Sequence, residues 1–330
     1  MTSTSARPYP PRTLAAHLGA SPSDLSLTWH QQEATTSTHT ERGPIHGQNS
    51  QPFAQVAADS REQLHGLQSR RDLTALGEVS DAGTGAFLCS AFTYLDKHDC
   101  MWFGQANVRK LNLTVDDLRH NLERVPDEKI YPVVEPFITI VTNADRPGFF
   151  IKRPRGLRLT DEELAKLLPR MLIEEAEILE FLQRNQHPNI VRYYGCTVRR
   201  GHITGIVLER HSMILQYRHE DDDRHFDVTA CIQGIRAGVA HLHSLGFAHN
   251  DLNPANIALD KKDNPVILDF GSCRKFNEQL ITAGTPGWID DNYKTSSPGH
   301  DRSAIQKLEV WMMKKNSERE DKSVVGKDGF

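Results

Sequence analysis

An α+β fold follows from three features of this 330-residue sequence. From about Pro136, runs with strand-like composition and runs with helical periodicity follow in the order strands, helix, strands, long helix. The longest amphipathic run, "HFDVTACIQGIRAGVAHLHSLG", ends at Gly246, a residue suited to closing a helix. After it, "HNDLNPANIALDKKDNPVILDFGS" (249–272) reads as loops and a hairpin with polar residues at their ends. Together these predict a small strand-rich lobe above a helical lobe.

Residues 1 to about 80 are rich in Ser, Thr, Gln, His and Pro. They cannot bury enough apolar area to offset the entropy of ordering them, so the segment is predicted mostly disordered. A short helix near "RTLAAHLGA" or around 60–76 is an option. Residues 81–135 are predicted as a small appendage packed on the next domain. In it "GAFLCSAFTYLDKHDCMWFG" reads as a hairpin turning at "DKHD". In "LTVDDLRHNLERV", Thr114 and Asp117 form a capping-box pattern, and Leu118, Leu122 and Val125 share a helical face. Residues 136–315 form the main domain. "PFITIVTNADRPGFFIKR" reads as two strands joined at "NADRPG", and Pro169 divides "TDEELAKLLPRMLIEEAEILEFLQRNQ" into two helices. "HPNIVRYYGCTVRRGHITGIVLER" gives two strands around "RRG", and "NIALDKKDNPVIL" a hairpin turning at "DKKDN". A last helix lies near 301–315, and residues 316–330 form a polar tail. No internal repeat is visible.

Composition excludes several classes. The net charge of -4 carries no nucleic-acid footprint. Five scattered cysteines (Cys89, Cys100, Cys196, Cys231, Cys273) include no CxxC pair, which argues against zinc and for free thiols in a reducing compartment. The N-terminus lacks an apolar signal core. No run of about 18 apolar residues suggests a membrane span. A cytoplasmic location is expected; "KRPRGLR" (152–158) offers a nuclear signal as an alternative.

The polar string has the makings of a phosphotransfer site. Transfer from ATP needs positioning, neutralisation of the triphosphate and a group to orient the attacking hydroxyl. Asp251 lies five residues before Asn256, and Asp269 follows the β-type run "NPVIL". Carboxylates and amides are the oxygen ligands that magnesium selects. As ordinary turn residues, Asp and Asn would need no such role. His249 reads as a packed core histidine, and Trp102, Trp288 and Trp311 as packing residues.

"HNDLNPAN" (249–256), "DFG" (269–271) and "FFIK" (149–152) resemble the signature set of the protein kinase superfamily, serine/threonine kinases in particular, and the chain most resembles short fungal kinase-like proteins. The resemblance implies a two-lobed kinase-like fold with a shortened C-lobe. It makes Asp251 the base, Asn256 and Asp269 the metal ligands and Lys152 the phosphate anchor. Lys152 would pair with Glu175, with Glu174 and Glu177 as near alternatives; taken alone, Lys152 is an exposed strand lysine and the glutamates a solvated face. Thr285 of "GTPGW" would hold the base, Asp301 would anchor the catalytic loop, and "GIVLERH" (205–211) would supply a hinge of Glu209 to His211 behind Leu208. ATP and Mg²⁺ are the implied cofactors and a protein the implied partner; the oligomeric state is open.

The pattern also departs from the family. No glycine-rich loop appears in "FITIVTNADRPGFF". Phe150 stands where the family has a small alanine, on the adenine side. Asn250 replaces an arginine and Asn253 a lysine. "IDDN" (289–292) lies where a glutamate is expected, and the helices that carry its usual partner are not seen before Phe330. The leading expectation is ATP-dependent phosphorylation of protein serine or threonine. The alternative is a pseudokinase scaffold that binds proteins, and small-molecule phosphotransfer is a third reading.

Overall fold

A computed structural model describes residues 63–325 except 82, 219–224, 283 and 291–293. The readings placed on residues 1–62 lie outside the described residues. Two compact units are present. Of the described residues, one takes those up to Tyr131 together with Pro154–Pro169; the other contains Pro132–Arg153 and those from Arg170 onward.

The first unit is an antiparallel sheet in the order β1 (Ala75–Ser80), β2 (Phe87–Leu95), β3 (Met101–Ala106) and β4 (Glu123–Arg124). The β2–β3 turn falls at "DKHD". Asp96 Oδ1 accepts the amides of His98 at 2.8 Å and Cys100 at 2.9 Å, the local bonding that makes Asp a turn former. Helix α1 (Val115–Asn121) starts with the expected capping box, Thr114 against Asp117. Leu118, Leu122, Phe92 and Trp102 share its core with Leu64 and Leu67.

Two boundaries differ from expectation. Asp81 falls between β1 and β2 of one sheet, and Leu64 and Leu67 are buried upstream of it. Those residues come from a polar-rich stretch, so average composition concealed them. Within the segment expected to belong wholly to the main domain, Pro154–Pro169 joins this sheet instead. Gly156 lies so close that a Cβ there would be 2.9 Å from Thr93 Cγ2. The short helix α2 (Glu162–Ala165) follows, capped by Asp161.

The second unit opens with a three-stranded sheet in the order β5 (Phe149–Lys152), β7 (His202–Glu209) and β6 (Tyr193–Arg199). β6 and β7 turn at Arg200 and Gly201, both at positive φ (51° and 78°), as a tight hairpin requires. Helix α3 (Leu168–Arg184) carries Pro169 in its first turn, where a missing amide costs nothing. The long helix α4 (Val228–Ser244) is capped by Asp227 and closed at Gly246, φ 85°.

β10 (Ile257–Leu259) and β11 (Pro265–Ile267) form the expected hairpin, joined by β8 (Met213–Ile214). β9 (Phe247–Ala248) pairs with β12 (Arg274–Lys275). Helix α5 (Pro298–Val325) continues through the stretch expected as a polar tail. Lys314 and Lys315 facing Glu318 give that polar run the spacing of helical ion pairs.

"PFITIV" does not form the first strand of a hairpin with β5. It makes a single parallel bridge, Ile140 to Cys196, on the outer edge of β6, the far edge of the sheet from β5. The apolar run suited an edge contact as well as a strand, and periodicity alone does not name the neighbour.

Leu67 tests the upstream boundary. It is fully buried, so Leu67→Ala is expected to lower the unfolding free energy by about 2–5 kcal/mol in urea denaturation. An unchanged midpoint and slope would mean that this segment is not part of the cooperative fold.

Candidate active site

Lys152, the last residue of β5, points from the sheet at two carboxylates. Its Nζ lies 2.6 and 2.7 Å from the oxygens of Glu175 on α3 and 2.8 Å from Asp269 Oδ1. Glu175 is therefore the partner among the three candidates. Glu174 instead bonds Arg170 at 2.6 Å and pairs with Arg274. Glu175 Oε1 also accepts the amide of Phe270, so α3 grips both the lysine and the loop that carries Asp269. Phe150 lies two residues before Lys152 on β5, hence on the same face of the sheet, and is half-buried.

The loop at 249–256 is held from beneath by Asp301 of α5, which accepts the amides of His249 at 2.9 Å and Asn250 at 2.8 Å and bonds His243 at 2.8 Å. His249 is the predicted core histidine, its Nε2 on Leu268 O and its Nδ1 facing the Asp251 amide. Asp251 Oδ1 accepts the Thr285 amide at 2.7 Å, and Asn256 Nδ2 reaches Asp251 O at 2.9 Å and Oδ2 at 3.2 Å. Asp251, Asn256 and Thr285 thus meet in space. Glu209 and His211 sit at the end of β7. The Glu209 amide is taken by Arg192 O. His211 Nε2 is buried, without a hydrogen-bond partner among the described residues, 3.8 Å from Glu209 Oε2, and burial holds its imidazole below the ordinary value.

Several functional contacts were not legible in the sequence. Asn250, at φ 63° and buried, donates to Ala248 O, Ser272 O and Ser296 Oγ and accepts from Ser297 N and His300. One amide thus ties the 249–256 loop to the chain on both sides of the downstream segment. Asn253 caps Ala255 N and reaches Thr285 Oγ1 at 3.1 Å, bracing the loop in the place of the lysine. Arg274 bonds Gly271 O and Cys273 O while pairing with Glu174. Asp290, in the "IDDN" stretch where an anchor was expected to be lost, bonds Ser303 and pairs with Lys307 of α5 at 2.7 Å. Asparagine, arginine and aspartate are too common in loops for any local signal to mark these roles.

Electrostatics follow from the cluster. Burial alone would lower the Lys152 pKa, but the Asp269 and Glu175 charges overcome it and keep the amine protonated. Burial raises the Glu175 carboxyl against the pull of Lys152. Burial would also raise Asp269, yet the adjacent Lys152 charge and hydrogen bond hold it down at about 2. At Asp251 burial prevails over the Thr285 hydrogen bonds, and the pKa rises.

The donor set suits magnesium. Asp269 stays ionised with its side chain 45% exposed, and Asn256 spends its Nδ2 on Asp251, reserving its amide oxygen. Among the described residues no group of three His, Cys, Asp or Glu side chains forms a cage. Two protein oxygens fit an ion that takes its remaining ligands from phosphate and water.

A depressed carboxylate pKa stabilises the fold above its unfolded value. For Asp269 that stability is present above about 3.8 and is lost as pH falls towards about 2. Melting temperatures measured across this window should fall less steeply in Asp269→Asn than in the parent; parallel curves would show that the Lys152 contact adds no pH-dependent stability.

Comparisons with known proteins agree with this geometry. A family model described as protein kinase domain matches residues 157–295, a span that begins after Lys152. The ire1 sensor for unfolded proteins in the ER of Schizosaccharomyces pombe is 31% identical over 246 residues, 59% of this chain and 23% of that protein. Serine/threonine-protein kinase/endoribonuclease IRE1 of Hypocrea jecorina is 32% identical over 143 residues, 37% of this chain and 11% of that protein. Serine/threonine-protein kinase TAO1-B of Xenopus laevis is 33% identical over 115 residues, 34% of this chain and 11% of that protein. The chain spans between 11% and 23% of the length of these relatives. With the signature residues assembled in space and the matched span running through the 249–256 loop and Asp269, this chain is similar to the protein kinase domain over residues 157–295.

Proposed function

We propose that the chain transfers the γ-phosphoryl group of ATP to a serine or threonine hydroxyl of a protein. The observation that carries this is the Lys152–Glu175–Asp269 cluster, joined across 23 and 117 residues of sequence. An ammonium kept charged between two carboxylates is suited to hold α- and β-phosphate oxygens. Asp251 is suited to accept the proton of the attacking hydroxyl, with the Thr285 amide and Asn253 fixing its orientation. Asn256 and Asp269 would hold magnesium, which when bound neutralises charge on the transferring phosphate. Glu209 and His211 are the proposed hinge contacts for adenine.

Asp251→Asn should lower phosphorylation of a generic basic protein substrate by about 10²–10⁴-fold while leaving ATP affinity nearly unchanged. Because the base must be ionised and burial raises its pKa, the acid limb of turnover should lie above the ordinary 3.8. Full activity in that variant would remove Asp251 from the chemistry.

A scaffold without phosphotransfer is the second reading, favoured by two observations. Among the described residues no strand hairpin stands beside β5 to cover phosphates, and Phe150 shares the face of Lys152. Phe150→Ala separates the readings by calorimetric titration with ATP and Mg²⁺. On the kinase reading the parent binds and the variant binds more tightly, since removing the ring frees volume for adenine. If neither binds while both remain folded, the chain is a scaffold. Weaker binding by the variant would place the ring as a useful stack on the adenine.

A further inference from the structure

Residues 136–141, expected as the first of two strands joined at "NADRPG", are employed elsewhere, together with residues 132–135 before them. They run past the start of β7 and along the outer edge of β6. Ile203 N donates to Pro132 O at 2.9 Å, and Val134 N to Gly201 O at 3.0 Å. Farther on, Cys196 N donates to Thr139 O at 2.7 Å, and Val141 N to Cys196 O at 2.9 Å. Within the segment, Ile138 is buried. Gly195, at φ 136°, makes the close approach possible: a Cβ there would lie 2.6 Å from Thr139 O and 2.9 Å from Val141 Cγ2.

From this edge the segment reaches helix α3. Glu180 is 5% exposed, and among the described residues no cation is paired with it. Its oxygens accept instead from the Thr139 amide at 2.6 Å, the Thr139 hydroxyl at 3.0 Å and the Tyr193 hydroxyl at 2.9 Å. A buried carboxylate satisfied by neutral donors needs all of them, because each lost donor leaves a desolvated charge less well compensated. Glu180 lies five residues after Glu175 on the same helix. A turn of helix is a rigid spacer, so whatever sets Glu180 also sets the rotation and height of Glu175.

We propose that residues 132–141 form a built-in strap that positions α3, with Thr139 and Glu180 as the positioning residues through which it holds Glu175 against Lys152. The chain thereby supplies from its own sequence the contact that seats its glutamate-bearing helix. The consequence for turnover rests on the reading of Lys152 as the nucleotide anchor, but the strap itself does not.

The test uses the full chain and needs no turnover. Lys152 labelling by an amine-reactive ester is followed by mass spectrometry at about pH 8. With Glu175 seated, Nζ is engaged by two carboxylates at 2.6–2.8 Å and labels slowly. Glu180→Gln and Thr139→Val should both speed labelling by at least about fivefold, because losing the charge-assisted bonds to Glu175 frees the amine to react. Thr139→Ser keeps both donors and should label like the parent. In a Glu175→Gln background, Glu180→Gln should add nothing further, since the strap acts through Glu175.

Glu180→Gln that lowers the melting temperature but leaves Lys152 labelling unchanged would overturn the proposal and make the contact merely structural. If Glu180→Gln does not fold, Thr139→Val decides, because only one exposed hydroxyl is removed. Additive effects of Glu180→Gln and Glu175→Gln on labelling would also overturn it. Faster labelling in these variants, in a chain whose parent fails to bind ATP, would leave the strap standing and remove the kinase reading instead.

Discussion

One ammonium group organises this protein. Lys152 ends a strand, Glu175 sits on a helix and Asp269 in a loop, and all three meet within hydrogen-bonding distance. A partly buried lysine loses hydration, so it remains charged only where carboxylates replace the lost water. Two do so here. Removing either leaves the remaining charges imbalanced in a site that excludes much of the solvent. The sheet, α3 and the Asp269 loop are thus tied to one another by a contact that none could make alone.

Around that contact, polar uncharged groups take on work that the family resemblance assigned to charged ones. Asn250 bonds backbone on both sides of the downstream segment and the side chains of Ser296 and His300. An arginine in that place would bring a charge in need of a counter-ion; an asparagine brings balanced donors and acceptors. Asn253 likewise holds its loop and Thr285. Anchoring of the segment to α5 passes through Asp290, Ser303 and Lys307. The arrangement of the loops therefore rests on contacts present in the unmodified chain.

The small sheet explains both a loss and a gain. With residues 132–141 on the edge of β6, no hairpin accompanies β5 among the described residues. On the proposed reading of Lys152 as phosphate anchor, this leaves more of the demand on that lysine. The same segment instead contacts the helix that holds the partner of Lys152. One stretch of chain cannot serve both edges of a sheet, and Gly195 marks the edge it serves.

The sequence by itself determined the capping box at Thr114 and the hairpins at "DKHD", "RRG" and "DKKDN", each written in local chemistry: turn residues at fixed offsets, a cap and its box. The signature loop, Asp269 and Lys152 were legible in it through resemblance to a family, not through local chemistry. Tertiary structure decided what local chemistry leaves degenerate. Glu175 was the expected partner of Lys152 with Glu174 and Glu177 as near alternatives, and helix rotation turned Glu175 inward and Glu174 towards Arg274. "PFITIV" had the composition of a strand but no information about which edge it would meet. Leu64 and Leu67 lay in a polar stretch whose average concealed their burial. Partner choice depends on distance in space, and contacts between residues 23, 41 or 117 positions apart leave no trace in the spacing of either partner.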